Sequence, residues 1–73
     1  MQKVKLVWFN KEKQYGEVEM PNGDYALITH KYLSKVKNQK KGSVFLAEIS
    51  IGETAFDYLY VSKVKDTYEE KLS

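Results

Sequence analysis

Apolar and polar residues alternate through most of this chain, and a period of two marks strands that bury one face. Lys3–Phe9 opens the pattern: valine, leucine, tryptophan and phenylalanine favour a pleated, half-buried surface. Strict alternation puts Val4, Leu6 and Trp8 on one face, with Val7 and Phe9 on the other. A run apolar on both faces suits a closed barrel, or a bulge near Trp8. Asn10–Gln14 reads as a polar turn, and Tyr15–Met20 as a second strand in which Val18 and Met20 alternate with Glu17 and Glu19. Pro21-Asn22-Gly23-Asp24 is a strong turn signal, because Asn-Gly tolerates the positive φ of tight hairpins.

Tyr25–Thr29 is a third strand, after which the alternation stops. His30–Gly42 carries lysines 31, 35, 37, 40 and 41, with Leu33 and Val36 as its aliphatic anchors. It reads as a long connection containing one helical turn near Lys31–Ser34. Val44–Ile51 is a fourth strand, with Phe45, Ala47, Ile49 and Ile51 on one face. Gly52-Glu53-Thr54 turns the chain into a fifth strand, Ala55–Val64, with Leu59 and Val61 facing the core and Phe56, Tyr58 and Tyr60 opposite.

Short strands at close spacing predict an all-β fold, a five-stranded antiparallel sheet or barrel. The expected domain spans residues 1–65, and 66–73 form a polar C-terminal tail. Leu6, Val18, Ile28, Phe45, Ile49, Leu59 and Val61 are its expected core. Strand number and length alone also fit an SH3-like barrel.

Composition narrows the function classes. At 73 residues the chain has room for one domain and one small core. There is no cysteine, so neither a disulfide nor a thiolate metal site can form. A cysteine-free chain without a signal-peptide pattern or a membrane-length apolar run leads to the expectation of a soluble, cytoplasmic protein. One histidine, His30, and scattered carboxylates lack metal-ligand spacing. Serines 34, 43, 50 and 62 lack a base to activate them, and no glycine-rich phosphate loop is present. The expectation is therefore a protein that is not an enzyme and uses no cofactor or metal. Net charge is +2, and all 12 basic residues are lysines. A lysine is a hydrated point charge rather than a flat bidentate fork, so phosphate attraction fits better than reading of guanine edges.

The chemistry concentrates in Lys5–Val18, K-L-V-W-F-N-K-E-K-Q-Y-G-E-V. Lys5, Lys11 and Lys13 are interleaved with the rings of Trp8, Phe9 and Tyr15. Ammonium groups among aromatics on strands suit single-stranded nucleic acid, since phosphates meet the cations and unpaired bases stack on the rings. By pattern alone Trp8 is either a core residue or a stacking one. The stretch resembles the first motif of the bacterial cold-shock domain, K-W-F-N-x-x-K-G-[FY]-G-F-[IV]. Trp8, Phe9, Asn10, Lys13, Tyr15, Gly16 and Val18 match that pattern, while Gln14 replaces its glycine and Glu17 a stacking phenylalanine. The family's second motif, D-[VI]-F-V-H-[FY]-S, falls on Asp24–His30. Laid without a gap, its phenylalanine becomes Leu27, its histidine Thr29 and its second aromatic His30; shifted by one, they become Ala26, Ile28 and Thr29.

The resemblance implies a small cold-shock-like OB-type barrel over residues 1 to 65, with Trp8 and Tyr15 exposed. It also implies a weak, low-specificity site for single-stranded RNA or DNA, with a regulatory role, at Lys5, Trp8, Phe9, Lys13, Tyr15 and His30. Glu17 sets an anion in this surface, and within about a Debye length, ~8 Å, it repels phosphate. The alternative is a protein-interaction module on the same fold that has lost nucleic-acid binding and regulates a nucleic-acid-processing machine. Its contact surface would be Phe56, Tyr58 and Tyr60, since tyrosine offers large contact area at low entropy cost.

Overall fold

All five apolar stretches form strands in the computed structural model, which describes residues 1–52 and 58–65. They are β1 (Gln2–Asn10), β2 (Tyr15–Glu19), β3 (Tyr25–Thr29), β4 (Val44–Ile51) and β5 (Leu59–Lys65). A single helical turn, α1 (His30–Leu33), follows β3 where the alternation stops. The strands close into a barrel in the order β1-β2-β3-β5-β4, with β4 pairing back onto β1. This is an all-β, closed five-stranded barrel, consistent with an OB-type barrel. Phe56, the expected start of the last strand at Ala55, and the tail 66–73 lie outside the described residues. Among the described residues no helix is long and apolar enough to cross a membrane.

The sheet is not purely antiparallel. β3 and β5 run parallel, joined at Leu27 and Tyr60, while the other four neighbour pairs are antiparallel. Counting strands explains this correction. Directions cannot alternate all the way round a ring of five, so closure forces at least one parallel seam. The seam falls where the long connection carries the chain from β3 across to β4.

The core contains Val4, Leu6, Val18, Ala26, Ile28, Phe45, Ala47 and Val61 from the strands, with Leu33 and Val36 closing one end. Ile49 and Leu59, expected inside, are half-buried at its edge. The β4–β5 register passes from Glu48–Lys63 to Ile49–Val61, so Ser62 is an extra residue and the break in alternation belongs to β5. Ile51, expected on the same inner face, is 62% exposed at the end of β4.

A second shift decides the fate of Trp8. β1 pairs Leu6 with Val18 but Trp8 with Glu17, so Val7 is the extra residue of a bulge. The bulge inverts the faces beyond it. Val4 and Leu6 point inward before it, and Phe9 packs against the core after it, whereas Trp8 turns outward and is 37% exposed. Phe9 lies opposite Gly16, where a Cβ would collide with the carbonyl oxygen of Trp8. Only glycine lets the two strands approach this closely.

Candidate nucleic-acid interface

The β1–β2–β3 register builds the outward face around Glu17, which pairs with Trp8 on one side and Leu27 on the other. Tyr15 pairs with Thr29 one step along the same face. Leu27 and Thr29 therefore lie beside Glu17 and Tyr15 on this surface. The Trp8 and Tyr15 rings meet edge to face at 5.5 Å and 74°. Such a contact contributes ~0.5–1.5 kcal/mol beyond area burial. The Trp8 indole N–H donates to Glu17 Oε1 at 2.9 Å. Glu17 thus holds the edge of the tryptophan as well as placing a negative charge beside it.

The turn after β1 and the loop after α1 converge next to Trp8. Within the turn, the Asn10 side-chain oxygen accepts from the Lys13 N–H and the Asn10 carbonyl from the Gln14 N–H. Gln14 sits in the left-handed region at φ 62°, a conformation that costs an L-residue roughly 1–2 kcal/mol and that glycine adopts freely. Its carbonyl accepts the N–H of His30, which ties the turn to the start of α1. The loop is held at both ends. Leu33 and Val36 are buried in the core, and β1 bonds to the far end: Gly42 N–H donates to the Leu6 carbonyl, and Leu6 N–H to the Ser43 carbonyl.

These ties create a groove of about 690 Å³ with an apolar floor that includes Leu6, Phe9 and Leu33. Trp8, His30 and Gln14 line it together with Lys11, Lys37, Lys40 and Lys41, and among the described residues no carboxylate lines it. The lysine-rich connection is therefore not one uniform solvated loop. Lys31 and Lys35, one helical turn apart, place their ammonium groups 5.5 and 5.8 Å from the Tyr32 ring centroid. Lys37, Lys40 and Lys41 belong to the groove.

A second hollow of about 540 Å³ has the opposite character. It is lined by Glu17, Asp24, Tyr25, Leu27, Tyr58 and Leu59. Tyr25 and Tyr58 are about half exposed, and the Tyr58 ring lies 5.7 Å from that of Tyr60.

The residues singled out from sequence thus separate. Trp8, Phe9 and His30 line the lysine groove, and Tyr15 buttresses Trp8. Phe9 contributes from the floor, half-buried against the core. Lys5 lies elsewhere, 3.8 Å from Glu19 and beside Lys3 in a shallow depression. Lys13 is exposed in the turn but does not line the groove. Tyr58 and Tyr60 form the expected ring pair, and Phe56 lies outside the described residues. The sequence pattern set Lys11 among the rings but did not mark Gln14, Lys37, Lys40 and Lys41 as groove residues. The aliphatic pair Leu33 and Val36 was the available signal, since burying it ties the start of the lysine-bearing segment 37–41 to the barrel. Among the described residues no three histidine, aspartate or glutamate side chains gather as a metal site would require. No family model and no curated protein matches this chain.

Proposed function

We propose that this barrel is a divergent cold-shock-like protein that binds short single-stranded RNA or DNA, weakly and with low sequence specificity, in a regulatory role in the cytoplasm. The lysine groove is the observation that carries this reading. It combines an exposed indole, a histidine and four lysines over an apolar floor, with no anion among the described residues of its lining. Bases stack on Trp8, each stack contributing ~1–3 kcal/mol, while Lys11, Lys37, Lys40 and Lys41 neutralise phosphates. Lysine point charges and one principal ring give modest affinity without a fixed sequence.

Trp8 is the only tryptophan, so its fluorescence reports directly on the site. Titration with single-stranded oligonucleotides should quench it. The logarithm of affinity should fall with that of salt at a slope of roughly −2 to −3, as three or four lysine–phosphate contacts require. A folded protein whose fluorescence does not respond at low salt would refute the reading. The second hollow then favours the other proposal, a protein-interaction module, because exposed Tyr25 and Tyr58 stand there among carboxylates that repel phosphate.

A further inference from the structure

We infer that Glu17 gives this surface a preference for bases that carry an exocyclic amino group, cytosine in particular, over uracil and thymine. The inference rests on the proposed nucleic-acid binding and assigns a chemical task to the residue that most disturbs it.

Glu17 is half-buried at the centre of the outward sheet, between Trp8 and Leu27. Its carboxylate is an acceptor with two oxygens and about four lone-pair positions. The Trp8 indole N–H takes one of these at 2.9 Å, and among the described residues it is the only hydrogen-bond partner of the Glu17 side chain. The carboxylate therefore keeps acceptor capacity while its position is fixed by the ring on which a base would stack. It also lines the hollow beside Tyr25, Leu27 and Tyr58, where a flat base has apolar and aromatic neighbours.

The charge pattern sets the direction of a bound strand. Phosphates are drawn to Lys11, Lys40 and Lys41 and kept away from Glu17 and Asp24. The bases then extend from the lysine groove across Trp8, and their Watson–Crick edges arrive beside the carboxylate. Single-stranded bases are commonly read on that edge while stacked on aromatic rings. Cytosine presents its N4 amino group there as a donor, and Glu is a natural acceptor for it. At the position of that amino group uracil and thymine present the O4 carbonyl, which sets lone pairs against a fixed anion, and their one donor on this edge, N3–H, is flanked by two carbonyls that the carboxylate repels.

Cytosine and uracil match in size and charge, so they isolate this contact. The test compares oligo-dC with oligo-dU of about eight nucleotides, within the usual OB-fold site size. Binding is measured at low salt and mildly alkaline pH, where cytosine is unprotonated. The wild type should bind oligo-dC about tenfold more tightly, the scale of one hydrogen bond to a charged group. In Glu17→Gln the ratio should fall toward parity, because a carboxamide accepts from cytosine and also donates to uracil. That variant can still accept the indole N–H, so the site stays assembled. Equal binding of the two oligomers by the wild type, a uracil preference, or an undiminished cytosine preference in Glu17→Gln would overturn the inference and leave the binding reading intact. A folded wild type that binds neither oligomer would overturn both.

Discussion

Two hollows meet at the Trp8–Glu17 pair, and they differ in nearly every property that matters to an anionic polymer. Among the described residues, the one beside Trp8 is lined by lysines 11, 37, 40 and 41 and by no acid. The one beside Glu17 is lined, among the same residues, by two acids and two tyrosines, and by no lysine. Both stand on one sheet, and a single hydrogen bond joins their nearest members. A net charge of +2 conceals this separation. At sub-nanometre distances the placement of charges decides where a phosphate can lie, and the net charge governs only longer-range attraction. A surface divided in this way orients a strand as well as attracting it.

The largest effect is expected beneath both hollows. Ile28 is fully buried behind the outward face of β2 and β3. Ile28→Ala should cost ~2–5 kcal/mol through lost burial and a residual cavity, and should melt the two hollows together. Ile49→Ala should cost visibly less, because Ile49 sits half-buried at the edge. Thermal unfolding of both variants checks this, and equal losses would contradict the division between centre and edge.

A smaller effect separates the hollows from each other. Trp8→Ala should weaken oligonucleotide binding by ~1–3 kcal/mol, the value of one stacked base, without unfolding the barrel. Tyr58→Ala, across the divide, should weaken it less. Reversal of that order would move the main stacking site to the acidic hollow.

The smallest effect concerns the salt response. Replacing Lys40 and Lys41 together with glutamine should make the salt slope shallower by about 1.4, as expected for two lost phosphate contacts to a single strand. Asp24→Asn should leave the slope unchanged, since Asp24 lines the side that phosphates avoid. An identical slope in the lysine variant would remove the groove from the binding path.

Much of the barrel was legible in the chain. The five strands, the Asn22-Gly23 turn and the single helical turn follow from alternation, turn chemistry and the point where alternation stops. These are local properties, set by neighbours a few residues apart. The parallel seam was latent in the same reading, since five strands in a closed ring require one. Tertiary structure alone decided the rest. The run apolar on both faces of β1 admitted a bulge near Trp8 as one of two readings, but only the register shows that one extra residue at Val7 exchanges the inner and outer faces beyond it. That shift placed Trp8 outside and Phe9 against the core. Likewise, a run of lysines has no intrinsic address. Leu33 and Val36 in the core, and the hydrogen bonds that the Leu6 backbone makes by accepting from Gly42 and donating to Ser43, carry Lys40 and Lys41 to the groove, while Lys31 and Lys35 stay at Tyr32. The pairing of Glu17 with Trp8 is also a product of register, joining residues nine positions apart that the linear pattern gives no reason to connect.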